Sequence, residues 1–344
     1  MGEARAEGAV EASEIAYRYG DRIALDSLSL RVAEGAIYGV LGPNGCGKST
    51  LFRLLATISP MQQGRVTLFG DDLEGDPSAI RRHLGVVFQN PAIDPKLTVL
   101  ENLLCHGALY GMSRGEARDR AGRWLQRFGL GDRSHSRCQS LSGGMQRRVE
   151  LAQGMMHQPR LLLMDEPTSG LDPAARLEFW ETIESLRAQE SVTVLMTTHF
   201  LDEAERCDRL LLVDQGKEVA EGTPAELRSD LGDAVLRVRC HGVQQAEAFR
   251  KQLLERLECK IEQSADQLLI DRLDAEVDWR GWLDEFPQQV RELSWARPTL
   301  EDLFLRKTGR ALAGDPAALP THRPGTARRR QGGTRAGVGR WLRD

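Results

Sequence analysis

Short unbroken apolar runs alternate along this chain with segments whose apolar residues fall three and four apart. The runs Ile37-Tyr38-Gly39-Val40-Leu41, Leu161-Leu162-Leu163-Met164 and Val194-Leu195-Met196-Thr197-Thr198 are strand-sized, and each ends in glycine or polar residues. After the first, Leu51, Leu54, Leu55 and Ile58 recur as one helical face, and Pro60 follows where a helix should stop. Residues 92 to about 160 are dominated by helical spacing: Ala117, Ala121, Trp124, Leu125 and Phe128 share a face, and Gly129 is placed to terminate it. This order predicts an α/β core, with ligands bound where polar groups gather at the carboxyl ends of the strands.

The pattern changes near residue 233. Val235-Leu236-Arg237-Val238 alternates as a strand, and residues 244–258 read as a helix through Phe249, Leu253, Leu254 and Leu257. Gln267-Leu268-Leu269-Ile270 and residues 290–295 read as strands, and residues 277–286 and 299–307 as helices. That order predicts a small α+β domain of ferredoxin-like, split βαβ type over 233–309, after a main domain over 13–232. Residues 1–12, small and charged, are expected to be a flexible end. Residues 310–344, rich in Gly, Ala, Pro, Thr and Arg, are expected to form a basic disordered tail. Its cluster Arg328-Arg329-Arg330 is read as a solvated end or as a contact for anionic lipid or an acidic partner loop.

Composition narrows the class mainly by exclusion. A formal net charge of −4 over 344 residues gives no footprint for nucleic acid, so no nucleic-acid partner is expected. The six cysteines show no C-x-x-C spacing, which argues against a zinc site or disulfide framework and fits a reducing cytoplasm. No apolar run approaches the roughly 20 residues that span a bilayer, and residues 1–5 carry no secretory pattern. Any membrane role would therefore require docking onto another protein.

The first glycine turn carries the strongest chemistry. Gly42-Pro43-Asn44-Gly45-Cys46-Gly47-Lys48-Ser49 fits G-x-x-x-x-G-K-[ST] between a strand and a helix, the context this phosphate-binding loop requires. Glycines let backbone N–H groups turn inward as an anion nest at a helix N-terminus. Lys48 is the cation for the β- and γ-phosphates, Ser49 a ligand for Mg²⁺, and Thr50 a donor to the α-phosphate. Cys46, inside the loop, predicts that thiol alkylation blocks nucleotide use unless ATP protects it. Asp165 and Glu166 close the apolar run 161–165. Asp165 is placed to hold the Mg²⁺ shell, and Glu166 is the candidate general base for an attacking water.

Downstream, Leu141-Ser142-Gly143-Gly144-Met145-Gln146 precedes the Asp165-Glu166 strand, and Pro167-Thr168-Ser169-Gly170-Leu171-Asp172 follows it. With the glycine loop, these segments resemble the ATP-binding cassette ATPases, a P-loop NTPase fold carrying an inserted helical subdomain. The resemblance implies further roles. Tyr19 would stack on adenine, with Tyr17 as its competitor. Gln89 would contact Mg²⁺ and lead into the helical subdomain, and His199 would contact the γ-phosphate and the water. Ser142, Gly143 and Gly144 would cap the nucleotide of a second copy in trans, and Asp172 would lie at that dimer interface. Met145 departs from the commoner Gln of this motif.

Arg297-Pro298-Thr299-Leu300-Glu301-Asp302-Leu303-Phe304-Leu305 resembles the ending of bacterial exporter ATPases of the daunorubicin-resistance type, whose relatives include nodulation-factor exporters. The resemblance implies an ATPase using ATP and Mg²⁺, paired with itself or a homologous ATPase. It would be bound to a separate integral membrane permease at the cytoplasmic face of the membrane, without spanning it. An import ATPase, a non-transport ATPase of ribosome or DNA, and a non-catalytic cassette are the other readings. The exporter-type ending argues against the first. The single uninterrupted cassette without long heptads argues against the second, and intact Glu166 and His199 argue against the third.

Overall fold

The computed structural model describes residues 8–257, 259–271, 277 and 279–312; the Arg328 to Arg330 cluster lies outside them. Strands β1 (Gly8–Tyr19) and β2 (Arg22–Ala33) pair antiparallel, and β3 (Ile37–Leu41) runs into the glycine loop and α1 (Lys48–Leu55). Then come β4 (Gln63–Leu68), β5 (Asp71–Asp72), α2 (Pro77–Arg82) and β6 (Leu84–Val87). Three helices, α3 (Val99–Leu109), α4 (Arg114–Arg127) and α5 (Gly143–Met155), precede β7 (Leu161–Asp165). The main domain continues through α6 (Pro173–Glu190), β8 (Thr193–Thr198), α7 (Leu201–Ala204), β9 (Arg209–Asp214), β10 (Lys217–Gly222) and α8 (Pro224–Ser229). The last part is β11 (Val235–Cys240), α9 (Val243–Arg256), β12 (Ile261–Ser264), β13 (Gln267–Asp271), α10 (Trp282–Glu285), β14 (Val290–Ala296) and α11 (Leu300–Thr308).

The central sheet has the order β10-β9-β3-β8-β7-β6, parallel except for β10. β3, β7 and β8 are buried at every position, which is why they read as continuous apolar runs: both faces of a parallel sheet are covered. Strand alternation sorts their side chains into two cores. Tyr38, Val40, Leu161, Leu163 and Leu195 meet α1 and the β1–β2–β4 sheet. Ile37, Leu41, Leu162, Met164, Val194 and Met196 meet the helical side.

Some expectations change. The segment expected to be loose at 1–12 holds the start of β1: Ala9, Val10 and Ala12 are buried because Val10 and Ala12 pair with both Val32, Leu30 and Leu68, Val66. Ile58 lies beyond α1, which ends at Leu55, and is 46% exposed, so it is not part of the buried face of Leu51, Leu54 and Leu55. In the last domain, β12 appears between the expected helix and β13. The resulting sheet, β12-β13-β11-β14, is fully antiparallel, with α9 between its first two strands in sequence and α10 between its last two. This is the ferredoxin-like order, completed by a strand whose Glu262, Gln263 and Ser264 gave it no apolar alternation.

That domain has its own core, centred on Phe249, Trp282, Leu236 and Val238. Helix α11 instead joins the main domain: Leu300, Leu303, Phe304 and Leu305 belong to the same apolar cluster as Leu227, Leu231 and the helical-side residues. Thr299 and Asp302 form a capping box at its start, and Gly309, at φ +69°, ends it.

Candidate functional site

The glycine loop is shaped by contacts that exclude side chains. A Cβ on Gly42 would lie 2.3 Å from the Val213 carbonyl oxygen, and one on Gly47 would lie 2.5 Å from that of Ala24. Gly47 also has φ +116° as the residue preceding α1, a conformation only glycine adopts cheaply. The Gly216 N–H donates to the Cys46 carbonyl (2.7 Å), tying the loop to the β9–β10 turn. Cys46 is 4% exposed and burial pushes its thiol pKa up, so the expectation of ready alkylation is not supported by its surroundings.

Lys48 is buried, and its ammonium donates to the carbonyls of Gly42 (2.7 Å) and Pro43 (3.1 Å) while lying 3.3 Å from Glu166 Oε1. Next to it, the Ser49 hydroxyl is 3.4 Å from Asp165 Oδ1, which also accepts from Thr197 Oγ1 (2.5 Å). Burial raises the Asp165 pKa against these hydrogen bonds.

Glu166 gathers the most partners. Its backbone is left-handed, φ +45°, and is held there by its N–H donating to the Thr197 hydroxyl (3.0 Å) and carbonyl (3.2 Å). The bend turns its side chain toward three separate elements. Lys48 meets one carboxylate oxygen; Gln89 Nε2 (3.2 Å) and His199 Nδ1 (3.2 Å) meet the other. The contact with His199 lowers the carboxyl pKa most, burial opposes it, and Lys48 adds to the lowering. Adjacent carboxylates are thus pushed in opposite directions. The structure brings Lys48, Glu166, Gln89 and His199 together at the carboxyl ends of the central strands. Gln89, expected beside a metal, here donates to Glu166.

Tyr19 is 47% exposed at the end of β1 and meets buried Tyr17 edge to face (4.9 Å), so Tyr19 is the ring with an open face. Ser142 caps α5 by accepting from the Met145 N–H (3.3 Å). A Cβ on Gly144 would come within 3.0 Å of Ala175, so the start of α5 packs closely on α6. Asp172 caps α6, accepting from the Ala175 N–H (3.0 Å), with Pro173 at the first helical position.

Two groups escaped sequence reasoning. Glu203 is 1% exposed and accepts from Thr168 and from Thr198 (2.5 Å), joining the segment before Asp172 to the strand that presents His199. Arg147 and Glu150 form a buried ion pair (2.8 Å) on α5. Both sites read as polar helix faces because the further groups they hold, the Thr168 hydroxyl for Glu203 and the backbone of residues 88, 89 and 92 for Arg147 and Glu150, are distant in sequence. An acid or base interrupting an otherwise small or apolar helical stretch, as Glu150 does between Val149 and Leu151, was the available signal.

Residues 25–169 match the family model described as ABC transporter. The chain is 39% identical over 306 residues to the daunorubicin/doxorubicin resistance ATP-binding protein DrrA of Streptomyces peucetius, covering 88% of this chain and 92% of that one. It is 38% identical over 310 residues to the Nod factor export ATP-binding protein I of Paraburkholderia xenovorans (strain LB400), covering 89% and 99%. Among solved structures, cbiO1 from Clostridium perfringens, part of the ABC transporter complex cbiONQ, superimposes with a TM-score of 0.61 at 26% identity, over 65% of this chain and 92% of that one. A glycine loop, a cluster around Glu166 and this likeness along most of the sequence agree: the chain belongs to the ABC transporter family, as an ATP-hydrolysing subunit.

Proposed function

We propose that this subunit energises export through a separate membrane permease, by closing on a second ATPase copy around ATP and reopening after hydrolysis. The observation that carries the catalytic part is the convergence of Lys48, Gln89 and His199 on Glu166. Export is supported by what the relatives are named for, daunorubicin resistance and Nod factor export.

On this reading the loop formed by Gly42, Pro43, Asn44, Gly45, Cys46 and Gly47, with Thr50, wraps the phosphates, and Tyr19 stacks on adenine. Lys48 exchanges the carbonyls of Gly42 and Pro43 for phosphate oxygens, a low-cost exchange because the ammonium is already desolvated. Ser49 and Asp165 present adjacent oxygens, the kind of partial ligand set that Mg²⁺ completes with phosphate and water, and Gln89 is a further candidate ligand. The ion would supply charge neutralisation at the phosphates. Glu166 accepts the proton of the attacking water, and His199 and Gln89 hold that carboxylate in line. Positioning and electrostatics are what phosphoryl transfer mainly requires.

The partner's γ-phosphate would be capped by Ser142, Gly143 and Gly144, where the N-terminus of the 13-residue α5 adds positive dipole. Asp172 would lie in the same interface. Among the described residues no helix is long and apolar enough to cross a membrane, so the permease is proposed as the membrane anchor, at its cytoplasmic face. Neither the charge nor the motifs support a nucleic-acid partner. The test is affinity purification of the full chain from gently solubilised membranes. A co-purifying polytopic protein without its own cassette is expected. Ribosomal or DNA-repair proteins in its place would overturn the export reading and leave the ATPase.

A further inference from the structure

The segment from Gln89 into the helical layer is fastened at both ends to α5 by hydrogen bonds between its backbone and one buried ion pair. Arg147, 4% exposed, donates through Nη1 to the Phe88 carbonyl (2.6 Å) and through Nη2 to that of Gln89. The same guanidinium pairs with Glu150 Oε2 (2.8 Å), and Glu150, 3% exposed, accepts from the Ala92 N–H through Oε1 (2.7 Å). One ion pair therefore holds backbone groups on both sides of residues 90 and 91. At the other side of Gln89, its amide donates to Glu166. Arg147 is also five positions from Ser142, which caps the same helix.

A buried ion pair is a poor device for stability alone. Taking both charges out of water costs several kcal/mol per ion, and apolar residues of similar shape often serve as well or better. What the pair provides is a fixed geometry: the planar guanidinium engages two carbonyls and one carboxylate at once, which a lysine cannot copy. The hydrogen bonds of Arg147 and Glu150 go to residues 88, 89 and 92 and to each other, not to the glycine loop or Glu166.

We infer that Arg147 and Glu150 are positioning residues that clamp the Gln89 segment to α5, so that the side chain of Gln89 and the helix start at Ser142 move as one body. This inference rests on the reading that Gln89 serves the reaction at Glu166. It gives the helical layer a rigid route to the catalytic carboxylate: displacement of α5 carries Gln89 with it.

The experiment uses the full chain, assayed for steady-state ATP hydrolysis, nucleotide affinity and thermal midpoint. The central variant is the apolar pair Arg147→Met with Glu150→Leu, which leaves no unpaired buried charge and is expected to keep the thermal midpoint. Arg147→Lys is the companion, keeping the charge and losing the fork. Both are expected to lower kcat on the order of 10²-fold, the scale of an ångström-level misplacement, with KM for ATP changed less than about threefold. Each is then combined with Gln89→Ala. If the pair acts through Gln89, the combined variants hydrolyse within about twofold of Gln89→Ala alone. Full kcat in a folded apolar double variant overturns the clamp, as do losses that multiply with that of Gln89→Ala. If Gln89→Ala itself hydrolyses at the full rate, the role of Gln89 fails, and the inference with it. A crippled Gln89→Ala beside an unaffected apolar double variant sinks the inference alone.

Discussion

Glu166 and Asp302 are both buried carboxylates beside a cation, in surroundings of opposite design. Glu166 faces Lys48, Gln89 and His199, which come from three different elements, on a left-handed backbone. Asp302 sits in a regular capped helix. It accepts from the Thr299 N–H and hydroxyl (both 2.7 Å) and pairs with Arg237 (Nε, 2.8 Å). Nearby, Arg306 is matched with Asp271 (2.7 Å) and Glu262 (3.3 Å). Around Glu166 the contacts are several and near 3.2 Å, so its donors Lys48, Gln89 and His199 can turn to a ligand's oxygens while water takes their place at the carboxylate. Around Asp302 each charge has its counterpart in place, and removing Arg237 leaves the buried Asp302 carboxylate without the cation that faces it. The first arrangement suits chemistry; the second suits a latch that ties α11 to the sheet of the last domain, while the apolar face of α11 packs on the cassette.

The widest separation between the two should come from Glu166→Gln. It is expected to lower ATP hydrolysis about 10³-fold, in the range of a lost general base, while the thermal midpoint stays close to that of the parent. Near-normal turnover in a steady-state phosphate-release assay would remove Glu166 from this role. On the other side, Phe304→Ala empties part of the core that α11 shares with the cassette. It is expected to cost about 3–5 kcal/mol by denaturant titration, with hydrolysis per folded molecule retained below the midpoint.

Asp302→Asn is the sharper probe of the latch. It keeps an acceptor for the Thr299 N–H and removes the charge facing Arg237, and is expected to cost about 1–3 kcal/mol. If it instead lowered hydrolysis at an unchanged midpoint, the contrast between a chemical cluster and a structural one would collapse. The smallest effect concerns thiols. In timed alkylation of the native chain, exposed Cys105 is expected to react while Cys46, buried and with its pKa raised, stays unmodified. Mass spectrometry of the peptides decides this, and rapid labelling of Cys46 would show that the glycine loop opens far more than its contacts suggest.

Much of this was legible. The glycine loop and the acid pair stand out because local rules place them: strands buried on both faces read as apolar runs, and polar residues must follow where such strands end. The histidine after β8 was singled out by the family resemblance. The helix face of Ala117, Ala121, Trp124 and Leu125 was equally plain, since each residue packs inward at helical spacing. What escaped was burial imposed from a distance. β12 carries Glu262, Gln263 and Ser264 and is a strand because β13 offers it a ladder. Glu203 looks like the polar face of a short helix, and its burial depends on hydroxyls at 168 and 198.

The sequence alone therefore determined the kind of machine: a strand that runs into a glycine loop, a strand that ends in two carboxylates, and a change of apolar pattern near residue 233. These follow from local backbone requirements and from apolar periodicity. Tertiary structure decided what each charge does. Whether a carboxylate is a reactive group, a cap, a latch or a clamp depends on which partners approach it from elements tens of residues away. Desolvation then fixes its protonation and its freedom to change partners.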